Sequence, residues 1–406
     1  MSRNSKRNRR LVASAAAVAA LALAAPAASA GAGAPDASGA SGAFVGAGRG
    51  GAPAGSATAR TLRLPEPTGA FAVGKQVFHL VDTGRSDPWE PAAGARELMV
   101  SVHYPARPGT GSGPAPYLGE REAEALVEGI NRPDFPAATV SGARTNSRTD
   151  ARPLDGRHPL VVLSPGFTLH RGTLTVLAEE LASRGYVVAL VDHAYESFGT
   201  TFPGDRTLPC TACDGRITGR VPEGRAADVS FLLDRLLGGE GELGRAFGNR
   251  VDARRIGMAG HSIGGNSAAV AMARDPRIKA GANLDGGFFD DLPGAGMDGR
   301  PFLLLGTDAT HRPDGGGKWR EAWGRMDGWK RWLTVAGTGH FSFNDVPVLG
   351  GQAGVVDPGA PLSGKRSGEI TVTYTGAFFD RHLRGMRAPV LDGPTADNPE
   401  VTFHAP

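Results

Sequence analysis

Apolar and polar positions change their period along this chain, and the change divides it into regions. Two early segments, "KQVFHLVD" (75–82) and "ELMVSVHYPA" (97–106), alternate or run apolar in the manner of strands. The Gly- and Pro-marked connection between them predicts an antiparallel entry to a sheet. From residue 159 the pattern becomes strand, helix, strand, helix. "PLVVLSPGF" (159–167) reads as a buried strand, and "RGTLTVLAEELASRG" then places Leu174, Leu177 and Leu181 on one helical face before Gly185 stops it. "YVVALVDH" (186–193) is the next strand. "EGRAADVSFLLDRLL" sets Val229, Leu232, Leu233 and Leu236 at helical spacing. "RIGMAG", "IKAGANLD", "PFLLLGTD" and "RWLTVAGTGH" follow as strands, with a helix of small residues, "GGNSAAVAMARD", after the first of them. The closing helix "YTGAFFDRHLRG" packs Phe378, Phe379 and Leu383 on one side and ends at Gly385.

This alternation implies an α/β fold: a mostly parallel central sheet with helices on both faces, in a single domain over residues 66–406. Ligands in such sheets sit at the carboxyl ends of strands.

The two ends change the charge argument. "MSRNSKRNRR", a 15-residue apolar stretch and the small residues Ala28 to Ala30 together read as a secretory signal peptide over residues 1–30. Arg9-Arg10 ahead of the apolar stretch points to twin-arginine export as one route. Removing this segment takes away Arg3, Lys6, Arg7, Arg9 and Arg10 and no acidic residue, which turns the formal charge of +3 into −2. A nucleic-acid partner loses its basis. Residues 31–65, rich in Gly, Ala, Ser and Pro, read as a flexible linker. No other apolar run approaches a membrane span, so the expected mature protein is secreted, with no transmembrane segment. Cys210 and Cys213 in "LPCTACDG" are the only cysteines, and in an exported chain they are expected to pair as a disulfide. A redox motif would need a thioredoxin-like context, and a zinc site two more ligands.

The chemistry concentrates at one junction. Ser262 lies between the strand "RIGMAG" and the small-residue helix, inside Gly260-His261-Ser262-Ile263-Gly264. This is the G-x-S-x-G pattern of a nucleophile elbow, in which the hydroxyl occupies a tight turn and the flanking glycines let strand and helix approach. A serine hydroxyl needs a base to take its proton. His340, directly after the last of the parallel strands, has the position the chain order Ser, acid, His requires. His311 sits in a Pro/Gly-rich loop, His382 in the terminal helix and His261 in the elbow itself. Two aspartates end strands between Ser262 and His340: Asp285 in "NLDGGFF" and Asp308 in "LLLGTDAT". Periodicity leaves both open as the acid. The oxyanion donors expected are the N–H of Ile263 and that of Phe167, where Gly166 permits close approach.

Taken in order, "PLVVLSPGF", "LASRGYVVALVDH", "GHSIGG", "NLDGG" and "GTGHFSFND" resemble the platelet-activating factor acetylhydrolases in their secreted bacterial form, over about residues 70 to 390. The resemblance implies an α/β-hydrolase fold and a serine carboxylic-ester hydrolase acting on short-chain or phospholipid acyl esters without metal or cofactor. It maps the nucleophile onto Ser262, the base onto His340, the oxyanion donors onto Phe167 and Ile263, and the acid onto Asp285, with Asp308 the runner-up. One departure is Pro165, where animal members tend to carry histidine. Lipases and polyester or cutin hydrolases share this machinery. A secreted binding protein on a retired hydrolase fold is the alternative of another class, and it would have lost one of these residues.

Two aromatic groups remain. Tyr195, Phe198, Phe202, Phe288 and Phe289 are candidates for an acyl pocket or for ordinary core contacts. Trp319, Trp323, Trp329 and Trp332 suit packing on the sheet; the second reading is a transient lipid-surface contact.

Overall fold

Alternation along the central strands decides which side chain faces which layer, because successive residues of a strand point to opposite faces. In a computed structural model, which describes residues 61–215, 220–290, 292 and 296–405, Leu160 and Val162 enter one core while Val161 and Leu163 enter another. All described residues belong to one compact unit, Asp36–Pro406. Residues 1–60, which hold the expected signal peptide and most of the expected linker, lie outside the described residues. The linker expectation for 61–65 is corrected: Leu62 and Leu64 are buried, packed with Tyr117, Leu126 and Leu169.

The strands are β1 (Ala72–Ser86), β2 (Ala95–Ala106), β3 (Pro114–Pro116), β4 (Arg144–Thr149), β5 (His158–Ser164), β6 (Val187–His193), β7 (Thr200–Phe202), β8 (Arg206–Leu208), β9 (Val251–His261), β10 (Ile278–Leu284), β11 (Phe302–Thr307), β12 (Lys330–Val335) and β13 (Val401–His404). The helices are α1 (Glu120–Gly129), α2 (Ala137–Ser141), α3 (Thr175–Ser183), α4 (Arg220–Leu237), α5 (Gly241–Phe247), α6 (Ile263–Arg274), α7 (Trp319–Arg325), α8 (Asp345–Gln352) and α9 (Gly364–Arg384).

Eleven strands form one sheet in the order β13-β12-β11-β10-β9-β5-β6-β2-β1-β4-β3. The block from β12 to β6 is parallel; β13 and β2 pair antiparallel with its two ends, and β1 pairs antiparallel with β2. Helices α4, α5, α6 and α7 contribute to the core on one face, α3 and α9 to the core on the other. Both faces of the central strands are therefore covered, which is why their sequences run apolar without alternation. No helix among the described residues is long and apolar enough to cross a membrane.

A buried ionic network fastens the loop after β5 to this frame. Arg96, 1 % exposed, donates to Asp87, Glu196 and Asp228 at 2.8 to 3.0 Å. Arg225 of α4 donates to Glu196 and to the Pro165 carbonyl, and His193 stands between Ser164 Oγ and Asp228. Burial disfavours charge on Asp228 and Glu196, but the arginines outweigh it and hold both carboxyls below their ordinary range. Their stabilisation is present above the unfolded carboxylate range and is lost as pH falls from there through the lowered folded values. Arg96→Met takes their shared cation from three buried carboxylates, of which Glu196 keeps Arg225 and Asp228 keeps Arg85, and urea unfolding should show a loss of about 3–5 kcal/mol. An unchanged midpoint would remove this network from the stability of the fold.

Candidate active site

The elbow is built by close approach. A Cβ on Gly264 would lie 2.0 Å from the Ser164 carbonyl oxygen, and one on Gly260 would lie 2.3 Å from Gly264 itself. Only glycine lets β9, α6 and the end of β5 come together here. Ser262 between them has φ +56°, a conformation that costs a non-glycine residue of order 1–3 kcal/mol. Its N–H donates to the Leu284 carbonyl, so the strained turn is tied to the end of β10. Left-handed backbone recurs at Thr168, Tyr195 and Asp285, all just beyond the carboxyl ends of central strands.

The turn aims the hydroxyl at His340. Ser262 Oγ lies 2.8 Å from His340 Nε2, and His340 Nδ1 lies 2.7 Å from Asp285 Oδ2. A carboxylate can only accept, so Nδ1 carries the hydrogen and Nε2 is free to accept from the serine. Asp285 is 1 % exposed. Burial works against its charge, but His311 and His340 outweigh burial and hold the carboxyl well below the usual carboxylate range.

His340 begins a short 3-10 turn, His340–Phe343, that follows β12, and Asn344 then caps α8 by accepting from the Val346 N–H. His261 holds this turn from the other side, its Nε2–H donating to the His340 carbonyl at 2.7 Å. Burial, then the neighbouring His340, lowers the His261 imidazole to about 3, so it stays neutral as a donor.

The oxyanion candidates occupy matching places. Ile263 is the first residue of α6, where an N–H has no partner within its own helix. Neither its N–H nor that of Phe167 has a protein acceptor among the described residues. The loop around Phe167 is set by the Thr168 N–H donating to Glu196 and by Gly166, where a Cβ would lie 2.8 Å from His261 Nδ1.

The fold bears on three of the expectations. Asp308, the runner-up acid, is turned away from His340: its carboxylate pairs with Arg312 at 2.7 Å and accepts from Thr334 Oγ1. Of the aromatic side chains offered for an acyl pocket or for core contacts, Phe202 and Phe288 make core contacts, buried in hydrophobic clusters. A cavity of about 320 Å³ is lined by Gly339, Phe341 and Ser342, the neighbours of His340, together with Leu126, Val140 and Leu349. Third, His311 is not a plain loop residue, for its Nδ1 lies 2.7 Å from Asp285 Oδ1. Nothing in its sequence spacing signals this; only the return of the loop after β11 creates the contact. Elsewhere, Trp319 and Trp332 are buried, and Trp323 and Trp329 pack partly buried against the two cores. Cys210 and Cys213 form a disulfide with Cα atoms 5.3 Å apart.

Comparison with known proteins finds ester hydrolases. The profile of the family described as platelet-activating factor acetylhydrolase, isoform II, matches residues 126–208. The "Probable 1-alkyl-2-acetylglycerophosphocholine esterase" of Arthroderma benhamiae is 27 % identical over 84 % of this chain and 93 % of its own. The cutinase est2 of Thermobifida alba is 25 % identical over 49 % of this chain and 51 % of its own. The solved structure of a ferulic acid esterase from Streptomyces cinnamoneus superposes with a TM-score of 0.77 at 43 % identity, over 85 % of this chain and all of that one. The fold is that of the α/β-hydrolases. Likeness across the full length of a solved esterase, and the acetylhydrolase profile beside it, carry the conclusion that this chain belongs to the platelet-activating factor acetylhydrolase family and is a carboxylic ester hydrolase.

Proposed function

We propose that Ser262, His340 and Asp285 are the catalytic triad of this esterase and that it cleaves short-chain or phospholipid acyl esters after export. The observation that carries the reading is the unbroken line from Ser262 Oγ through the His340 ring to Asp285, with contacts of 2.8 and 2.7 Å. Ser262 attacks the ester carbonyl while His340 Nε2 takes its proton, and Asp285 stabilises the imidazolium that forms. The oxyanion accepts the N–H groups of Ile263 and Phe167. The alcohol leaves with the proton from His340. Water, deprotonated by the same imidazole, then attacks the acyl-enzyme and releases the acid.

The cavity beside Phe341 supports an apolar acyl group. Its size is at the lower end of the roughly 300–1,000 Å³ that small-molecule sites occupy, which suits short chains better than long ones. The likeness to the ferulic acid esterase favours a second reading, an ester of that aromatic acid. A p-nitrophenyl ester series from acetyl to palmitoyl, with methyl ferulate alongside, separates them. Activity should peak at short chains and fall steeply beyond them. A maximum at long chains would overturn the short-chain reading in favour of a lipase or polyester hydrolase, and preference for methyl ferulate would establish the second.

A further inference from the structure

His311 reaches the acid from a different loop than the base does. The chain leaves β11, turns at Thr307 and brings the His311 ring, 6 % exposed, against the carboxylate at the end of β10. Asp285 therefore accepts from two imidazoles, one on each oxygen: His311 on Oδ1 and His340 on Oδ2, both at 2.7 Å. Oδ1 also accepts from the Thr307 N–H at 2.6 Å.

The His311 ring is itself fixed from several sides. Trp319 stacks on it with centroids 4.2 Å apart and planes 22° from parallel. Trp332 Nε1–H donates to the His311 carbonyl, and a Cβ on Gly317, at φ +77°, would lie 3.1 Å from its Nε2. Trp319 Nε1–H in turn donates to the carbonyl of Gly286, the residue after the acid. Two of the tryptophans thus brace the acid and its second imidazole.

We propose, resting on the triad reading above, that His311 is a positioning residue for ester hydrolysis: it holds one oxygen of Asp285 so that the other faces His340, and it competes with His340 for the carboxylate's charge. The competition has a direction. With His311 gone, Asp285 stabilises the His340 imidazolium more strongly, so His340 becomes protonated and inactive at higher pH. The sign is the same whether His311 is neutral or charged. The other titratable groups around the pair are His261, whose ring lies 4.8 Å from that of His340, and Asp357, beside Gly339; Asp308 is turned away toward Arg312.

The test is the pH dependence of p-nitrophenyl butyrate hydrolysis by the full chain and by His311→Ala, His311→Asn and His311→Gln, with Ser262→Ala in parallel and Tm recorded for each. His311→Ala should lose roughly 10- to 100-fold in kcat with KM within about twofold. The acid limb of kcat/KM should move up by about half a pH unit or more. His311→Asn, whose amide N–H stands near the place of Nδ1, should recover most of kcat, and His311→Gln, whose amide reaches the Nε2 position, should not. Where His311→Ala fails to fold, the Asn and Gln pair decides by the same contrast. A folded His311→Ala lacking either the fall in kcat or the shift of the limb overturns the proposal, as do Asn and Gln variants that behave alike. Turnover surviving in Ser262→Ala would instead sink the triad reading beneath it.

Discussion

Ser262→Ala should lower kcat on short p-nitrophenyl esters by about 10⁵- to 10⁶-fold while leaving the unfolding midpoint where it is. The chemical half of this expectation follows from the elbow. Ser262 Oγ is the atom facing His340 Nε2, and without it the imidazole has no nucleophile to deprotonate. The stability half follows from the backbone. Alanine at φ +56° is strained about as serine is, and the Ser262 N–H bond to Leu284 remains. Ser262→Gly is the companion variant, because it removes the strain as well as the hydroxyl. It should be equally inactive and more stable by about 1 kcal/mol, measured by urea unfolding. A Ser262→Ala protein that still turns over ester would return "GHSIGG" to an ordinary turn.

The elbow could be read from the sequence because its demand is local: two glycines, a hydroxyl and a change of period from strand to helix within a dozen residues. The central strands were legible for a related reason, since burial on both faces leaves an uninterrupted apolar run such as "PLVVLS". What the sequence hid was interaction between distant segments. Arg225 and Asp228 look like the polar face of α4, yet both are buried, compensated by Arg96, Glu196 and His193 from elsewhere in the chain. The layer formed by α1, α2 and α8 was missed as well. Apolar positions there are sparse, and its cluster closes only when Leu62 and Leu169 arrive from outside these helices. At the site, Asp285 and Asp308 both end strands and periodicity leaves both open; the family resemblance chose Asp285, and the fold sets that carboxylate against His340.

Asp285→Asn should reduce kcat by about 10⁴-fold, and Asp308→Asn should leave it within about twofold of the parent. The size of the first effect follows from what surrounds the carboxylate. The Thr307 N–H and the His311 Nδ1–H both donate to the Oδ1 position, so an amide placed there must turn its oxygen toward them. Its NH₂ group then faces His340 Nδ1, which can satisfy it only as an acceptor. The imidazole is driven into the tautomer with hydrogen on Nε2, and that nitrogen can no longer take the serine proton. Two fixed donors thus make the asparagine choose the harmful orientation. Asp308 has no such route to the reaction. Its removal costs a partly exposed pair with Arg312, worth about 0–1 kcal/mol of stability. Steady-state kinetics on one short ester decides between them, and the reverse ranking would move the acid from the end of β10 to the end of β11.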